Sequence, residues 1–245
     1  MQQSEGTARG DSWAHVKHDP CIVSAAHELK SPLALVRQLA LSLEMGGCSA
    51  DEIAKVARQI SLTSERALRL TTDLTKASRL EGSLFSLEPL NPLVLCEEVV
   101  EEISPLYQAK GREILVGSRS RPLLAIANRD LLRRVMIGFA DNALHYTGDD
   151  TPVILTAKVF DGGSSIRLGV RDYGPAIPTQ LWRKLSRSLG VAPQPVHNRP
   201  ASSGLGIYIA QQFAEAMGGR VGASRHRDGA TFYIDLSTST QMRLL

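Results

Sequence analysis

Apolar residues between positions 50 and 78 recur at alternating steps of three and four, and this run constrains the fold more than any other feature of the chain. Its members are Ile53, Val56, Ile60, Thr63, Ala67, Leu70, Leu74 and Ala77. This spacing is the heptad seam of an α-helix that packs lengthwise against other helices. The charged residues Arg58, Glu65, Arg66 and Arg69 lie outside the seam.

A second helical pattern precedes this one, from about residue 13 to residue 45. Gly46 and Gly47 end it, and Ser49 with Glu52 forms a capping box that starts the next helix. The two helices therefore form a hairpin over residues 13–80. Because a lone hairpin cannot enclose its seam, we expect a homodimer in which two hairpins form a four-helix bundle. Packing of the hairpin onto the rest of the chain is the alternative.

Beyond residue 90, helical and strand-like patterns alternate. Helices are predicted near 92–109, 129–146 and 204–217, and strands near 112–117, 122–127, 152–160, 165–171, 220–225 and 230–236. These patterns favour an α+β domain over residues 91–240, with a mixed sheet covered by helices. Residues 81–90 are predicted to be a linker that leads into a strand. The polar residues 1–12 are predicted to be disordered.

Composition excludes several classes of function. The 245 residues are 43% hydrophobic, and the net charge of +3 is too small and too dispersed for nucleic-acid binding. The three cysteines are far apart and show no metal-binding spacing, which favours a reducing, cytoplasmic setting. No signal peptide is evident, and no stretch approaches the about 20 apolar residues of a membrane span. We therefore expect a cytoplasmic chain without a membrane segment.

The first chemical motif is HELKSP, residues 27–32, within the first helix. The helical pattern places Leu29 in the seam, so His27 faces solvent. Glu28 adjoins it and can accept a proton from the imidazole, which makes the ring a competent nucleophile. Pro32 removes a backbone hydrogen bond and is expected to kink the helix after His27.

Three further motifs predict parts of a nucleotide site. Near the end of the helix at 129–146, Asn142 offers an amide oxygen that Mg²⁺ accepts beside phosphates. His145 lies on the same helical face, where it can meet a phosphate, and Tyr146 can lie against a base.

The other two motifs lie at a strand end and at a helix start. Asp172 follows a strand and can accept a hydrogen bond from an exocyclic amine, while Gly174 lets the backbone approach a ligand. Residues 202–207, SSGLGI, enter a helix, where exposed backbone N–H groups favour phosphate oxygens.

In their order along the chain, these motifs resemble those of the sensor histidine kinases of bacterial two-component systems, across about residues 12–238. HELKSP resembles the H-box. The other boxes that it resembles are the N-box at 141–147, the two glycine boxes at 172–176 and 202–207, and the F-box at 181–185, with Trp and Leu where Phe is usual.

The resemblance implies a HisKA-type dimerisation and phosphotransfer hairpin, followed by an α/β-sandwich ATP-binding domain of the Bergerat, or GHKL, type. It implies that ATP phosphorylates His27 and that a response-regulator receiver domain then takes the phosphoryl group on an aspartate. Asn142 would bind Mg²⁺ with the triphosphate, Asp172 would read the adenine amine, and residues 190–202 would form a lid. The other implied ATP-binding residues are His145, Tyr146, Gly174, Ala176, Gly204, Leu205 and Gly206.

The chain departs from the family pattern at several positions. Gly138 stands where an Asn is common, His145 replaces the usual Lys, and Ala176 replaces a Gly. Ser31 occupies the position at which phosphatase activity commonly uses Thr or Asn, which makes it the phosphatase candidate.

Two other functions stay open on the sequence. A degenerate ATP domain would leave a dimeric scaffold that binds response regulators. Another ATPase of the same nucleotide fold, of the chaperone or mismatch-repair type, is the second alternative, and the hairpin that carries His27 argues against it.

Overall fold

A computed structural model gives the architecture, and it describes residues 20–80, 85–117, 123–148, 151–180, 182–183, 189 and 205–239. The segment predicted to be disordered, residues 1–12, lies outside the described residues. So do the predicted lid at 190–202, Gly204 and most of the F-box.

The hairpin consists of α1 (Pro20–Glu44) and α2 (Ala50–Ser78). The predicted capping box is present, since the Ser49 hydroxyl accepts the N–H of Glu52 at 3.3 Å and the Glu52 carboxylate accepts the N–H of Ser49 at 2.8 Å. Gly46 and Gly47 have φ angles of 73° and 84°, which glycine adopts without strain in the turn. α1 runs through Pro32 as one helix.

The second part of the chain is a mixed sheet covered by helices, as predicted. Five strands form its main sheet, namely β2 (Ile114–Val116), β4 (Val153–Phe160), β5 (Ser165–Arg171), β6 (Arg220–His226) and β7 (Gly229–Ser237). Their order in the sheet is β2-β4-β5-β7-β6, with β2 parallel to β4 and the other pairs antiparallel. The helices are α3 (Pro92–Gln108), α4 (Arg129–Tyr146) and α5 (Leu205–Ala216).

A separate two-stranded sheet joins the start of this domain to its middle. Residues Glu88–Leu90, which the sequence assigns to the linker, form β1 and pair antiparallel with β3 (Ala125–Ala127). Three-residue strands carry too little periodicity to reveal such a partner. The chain therefore enters the domain through a strand pair.

The apolar core lies between the sheet and its helices. Along β4, Val153, Leu155 and Ala157 are buried while Lys158 is exposed, which is the alternation expected of a sheet covered on one face. Phe139 of α4 packs against the sheet, with its ring centroid 6.2 Å from that of Phe232. This packing fixes which face of α4 is left to line a site.

The hairpin lies against the helical side of this domain. Both α1 and α2 contact α5, and α2 forms ion pairs with α3 and α4. Among the residues that the structure describes, no helix has the length and apolar character needed to cross a membrane.

Candidate active site

The exposed face of α4 carries the residues that the sequence assigns to the N-box. Gly138, Asn142 and Tyr146 lie four positions apart, so they share one face of the helix, and all three line the same cavity. The start of α4 is fixed by Asn128, whose side chain accepts the N–H of Leu131 at 3.1 Å. Helix start and core packing together orient the Asn142 amide toward the cavity.

The first glycine motif packs on the end of α4. Asp172 is buried, and its carboxylate accepts the N–H of Gly174 at 3.3 Å and that of Ala230 at 3.1 Å. A Cβ at Gly174 would lie 2.1 Å from the carbonyl oxygen of Tyr146, so only glycine permits this approach. The contact brings the end of β5 beside the N-box.

The second glycine motif meets Asn142 directly. A Cβ added to Gly206 would lie 3.9 Å from the Asn142 amide nitrogen, so the start of α5 faces the N-box side chain. The side chain of Leu205 is buried in the core, which leaves its backbone as the part that can meet a ligand. This helix start therefore offers backbone N–H groups next to Asn142.

A cavity of about 590 Å³ separates the hairpin from α4 and α5. Its volume falls within the range of about 300–1,000 Å³ that small-molecule sites occupy. Five of the predicted site residues line it, namely Glu28, Ser31, Asn142, Tyr146 and Gly206. The cavity thus joins the H-box region to the N-box and the second glycine motif.

The H-box residues occupy one stretch of α1 beside this cavity. His27 is exposed, as the sequence predicts, and Glu28 is half-buried. Ser31, one helical turn after His27, is exposed at the cavity wall. An exposed imidazole beside a carboxylate is accessible to an incoming electrophile.

Other predicted residues lie elsewhere. His27, Asp172, Gly174, Ala176 and Leu205 are not among the residues that line the cavity. His145 lies in α4, and its side chain falls outside the described part of the structure. In this structure, Gly174 packs the loop after β5 against the end of α4, and Asp172 accepts N–H groups from that loop and from β7.

A band of charged residues on the hairpin was not predicted to belong to the site. Arg66 of α2 lies 3.8 Å from the Asp141 carboxylate, Arg69 lies 3.6 Å from that of Glu102, and Arg134 of α4 pairs with Asp73. The i, i+3, i+7 spacing of positions 66, 69 and 73 puts them on one face of α2. That charged stripe is the sequence signal for a second contact face.

Burial shifts the pKa values of two carboxyl groups in this band. Burial raises the pKa of Asp141 above its usual range, while Arg66, Arg69 and Lys110 act to lower it. Burial likewise raises the pKa of Asp73, against the opposing effect of Arg134. Burial thus favours the neutral form of both carboxyls, and their cationic neighbours oppose that effect.

The side chains that could act as metal ligands suit a metal ion that is bound mainly by the substrate. No group of three or more His, Cys, Asp and Glu side chains that could hold a metal ion occurs in the described part of the chain. The Asn142 amide does face the cavity, and Mg²⁺ commonly takes one or two protein ligands beside substrate phosphates. Asn142 fits that arrangement.

Comparison with known proteins identifies the domain that carries this site. Residues 127–240 match the family "Histidine kinase-, DNA gyrase B-, and HSP90-like ATPase". The domain that contains α4, the sheet and α5 is therefore an ATPase domain of this family.

Individual relatives extend the likeness across the hairpin. The chain is 27% identical over 209 residues to the adaptive-response sensory kinase SasA of Parasynechococcus marenigrum, a match that covers 84% of this chain and 53% of the relative. A structure of full-length ShkA in complex with AMPPNP has a TM-score of 0.57 and 26% identity, and the match covers 90% of this chain and 47% of that one. The chain thus spans about half the length of each.

The fold alone is shared with a further structure, the histidine kinase ThkA in complex with the response regulator protein TrrA. Its TM-score is 0.60 at 18% identity, and the match covers 91% of this chain and 62% of that one. Together, the matched ATPase domain and these relatives support a bacterial sensor histidine kinase.

Proposed function

We propose that this chain uses Mg-ATP to phosphorylate His27 and then passes the phosphoryl group to an aspartate of a response-regulator receiver domain. The observation that carries the proposal is the shared cavity. Glu28 and Ser31 from the hairpin line the same space as Asn142 and Gly206 from the ATPase domain. A donor bound at the latter pair would lie close to the acceptor helix.

The chain's own residues have distinct roles in the transfer. Asn142 and the backbone at the start of α5 bind and orient the triphosphate, and Mg²⁺ held with Asn142 would neutralise phosphate charge. A His27 ring nitrogen attacks the γ-phosphorus, a P–N bond forms, and the P–O bond to ADP breaks with its electron pair. Glu28 accepts the ring proton, which keeps the imidazole neutral as it attacks.

Apolar exposure on the hairpin supports a homodimer. Leu33 is 60% exposed, Leu68 is 68% exposed, and Leu41 and Ile53 are also exposed. Large side chains repeated along one hairpin are the pattern of a contact surface. A second copy that pairs hairpin to hairpin would cover them in a four-helix bundle.

A receiver domain is the acceptor that the relatives suggest. ThkA, which shares the fold, was crystallised with the response regulator TrrA. In this chain, the receiver would approach the exposed face of α1 around His27. Ser31, one turn away, is the residue to test for the reverse, phosphatase reaction.

The direct test is incubation with γ-labelled ATP and Mg²⁺. Wild-type protein is expected to gain acid-labile, base-stable label, and His27→Gln is expected to gain none. His18→Gln changes another histidine nearby in sequence and is the matched control. Label of the same type on His27→Gln would rule out the proposed acceptor, and absence of Mg-ATP binding would favour a scaffold.

A further inference from the structure

The turn that follows α3 lies beside the C-terminal half of α4. Before the turn, the Tyr107 hydroxyl donates to the carbonyl oxygen of Ala140 at 2.8 Å. After the turn, the Arg112 guanidinium donates to the carbonyl oxygen of Leu144. Because these two contacts enclose the turn, it is level with the part of α4 that contains Asn142.

Lys110 lies in this turn, and the backbone on both sides of it is fixed. Its N–H donates to the carbonyl oxygen of Tyr107 at 2.9 Å. Gly111 follows with a φ of 65°, a conformation that glycine adopts without strain. Lys110 lines the cavity that Asn142 also lines. The ATPase domain therefore contributes a lysine to the space that it shares with the hairpin.

Each of the four arginines that line the cavity pairs with a carboxylate. The pairs are Arg66–Asp141, Arg69–Glu102, Arg133–Glu102 and Arg134–Asp73. Lys110 differs from them, because its ammonium forms no hydrogen bond and no ion pair with any residue that the structure describes. This lysine is therefore available to an anion that enters the cavity.

The charged groups around Lys110 favour an anion beside it. Burial lowers the pKa of the Lys110 ammonium, Arg66 and Arg112 act in the same direction, and Asp141 opposes them. Two cations and one carboxylate thus act on this ammonium. A polyanion bound next to it would offset the repulsion from the two guanidinium groups.

We propose that Lys110 binds the γ-phosphate of Mg-ATP from the end of α3. The inference rests on the proposed function and names a further substrate-binding residue for it. Because the phosphoryl group that moves to His27 must extend from Asn142 toward the hairpin, the γ-phosphate is the part of ATP that enters the shared cavity. A lysine ammonium is a compact charge with three donors on a flexible stem, and such groups commonly bind phosphate.

The test compares Lys110→Gln with Lys158→Gln, which changes an exposed lysine of β4 that does not line the cavity. Since ADP lacks the γ-phosphate, Lys110 is expected to distinguish ATP from ADP. In Lys110→Gln, the preference for Mg-ATP over Mg-ADP, measured as a ratio of Kd values, is expected to fall about tenfold, with Mg-ADP affinity unchanged. Lys158→Gln is expected to keep the wild-type ratio.

A second variant separates charge from packing. Lys110→Arg keeps the positive charge and is expected to retain most of the wild-type preference for Mg-ATP. A preference as low as that of Lys110→Gln would show that charge at this position does not act on ATP, and it would overturn the inference. A purely structural role would weaken the binding of both nucleotides equally, so an unchanged Kd ratio in Lys110→Gln would overturn it as well.

The two proposals fail in different ways. If wild-type protein prefers Mg-ATP but never labels His27, the proposed function is wrong, and the Kd ratio still decides whether Lys110 binds the γ-phosphate. If His27 is labelled and the Kd ratio is insensitive to Lys110, only the inference about Lys110 is wrong. Wild-type protein without any preference for Mg-ATP over Mg-ADP would also refute the inference, because no group would then recognise the γ-phosphate. Unchanged circular dichroism of Lys110→Gln excludes misfolding as the cause of a loss.

Discussion

The ATPase domain and its contact with the hairpin are held together by different forces. Inside the domain, side chains such as Phe139, Leu168 and Ile234 are almost fully buried between the sheet and its helices. Between the hairpin and the domain, ion pairs such as Arg134–Asp73 and Arg69–Glu102 lie beside partly buried apolar residues of the hairpin that pack on the core, namely Ala25, Leu70, Leu74 and Ala77. A close-packed apolar core resists small changes, whereas an ionic contact can open and close at little cost.

This contrast suits a protein that must move one part against the other. The nucleotide site needs a rigid frame, and the core supplies it. Under the proposed function, the hairpin would dock for transfer and then release His27 to a receiver, which an ionic contact permits. The predictions below test each side of the comparison, beginning with the largest expected effect.

Truncation of a buried core side chain should lower the free energy of unfolding more than the other changes do. Phe139→Ala removes a buried ring that contacts Phe232 and is expected to lower the free energy of unfolding by about 3–5 kcal/mol. Val159→Ala, exposed on β4, is the control and should change it by less than about 0.5 kcal/mol. Urea denaturation measures both. Equal losses would show that stability does not reside in the core beneath α4.

The same substitution should have opposite effects at two glycines. Gly174→Ala places a Cβ against the backbone of Tyr146 and should lower the unfolding free energy by about 1–3 kcal/mol, with weaker ATP binding. An added Cβ at Gly138 meets open space, so Gly138→Ala should raise the unfolding free energy by about 0.5–1 kcal/mol, because alanine favours a helix more than glycine does. Thermal unfolding checks both. A stable Gly174→Ala would contradict the close packing of β5 on α4.

The docking contact should respond to ionic changes that the core tolerates. Arg134→Gln removes an ion pair to Asp73 and is expected to increase the distance between hairpin and domain without lowering ATP affinity. Raising salt from about 0.1 M to about 1 M should act in the same direction. Small-angle X-ray scattering reports the separation. An unchanged profile in both conditions would mean that apolar contacts dominate the docking.

The smallest effect should be a pH dependence of docking through Asp141. Burial raises the pKa of the Asp141 carboxyl above the usual 3.8. The stabilising contribution of this carboxyl to the free energy of unfolding is therefore fully present below that pH and is lost as the pH rises through the raised pKa. Asp141→Asn should remove this dependence and dock at least as firmly at neutral pH. Unfolding free energies from about pH 4 to about pH 7 test this. Parallel curves for the two proteins would refute it.

Much of the domain could be predicted from its sequence. The boundaries of α4 and β5 agree with the predicted 129–146 and 165–171, because caps, periodicity and turn residues are local signals. The order of the H-box, N-box and glycine motifs identified the family before any geometry was known. The pairing of β1 with β3 was missed, since it joins residues 35 to 39 positions apart through three-residue strands.

The candidate site was predicted in part. His27 is exposed as expected, and Asn142 lines a cavity of sufficient volume. Asp172 was assigned to base recognition, a role that stays a prediction, and its carboxylate accepts backbone N–H groups of Gly174 and Ala230. Arg66 was noted only as lying outside the seam. The structure pairs it with Asp141, 75 residues away, a contact that no local pattern reveals.

The amino-acid sequence by itself determined most of the helices and strands and the resemblance to the sensor histidine kinases, because each depends on residues close together in the chain. Only the tertiary structure decided which charged residues of the hairpin and the domain pair with one another and which glycine packs the loop after β5 against α4. Those outcomes arise where distant segments meet. Side-chain contacts between segments depend on the orientation of whole elements, which core packing sets.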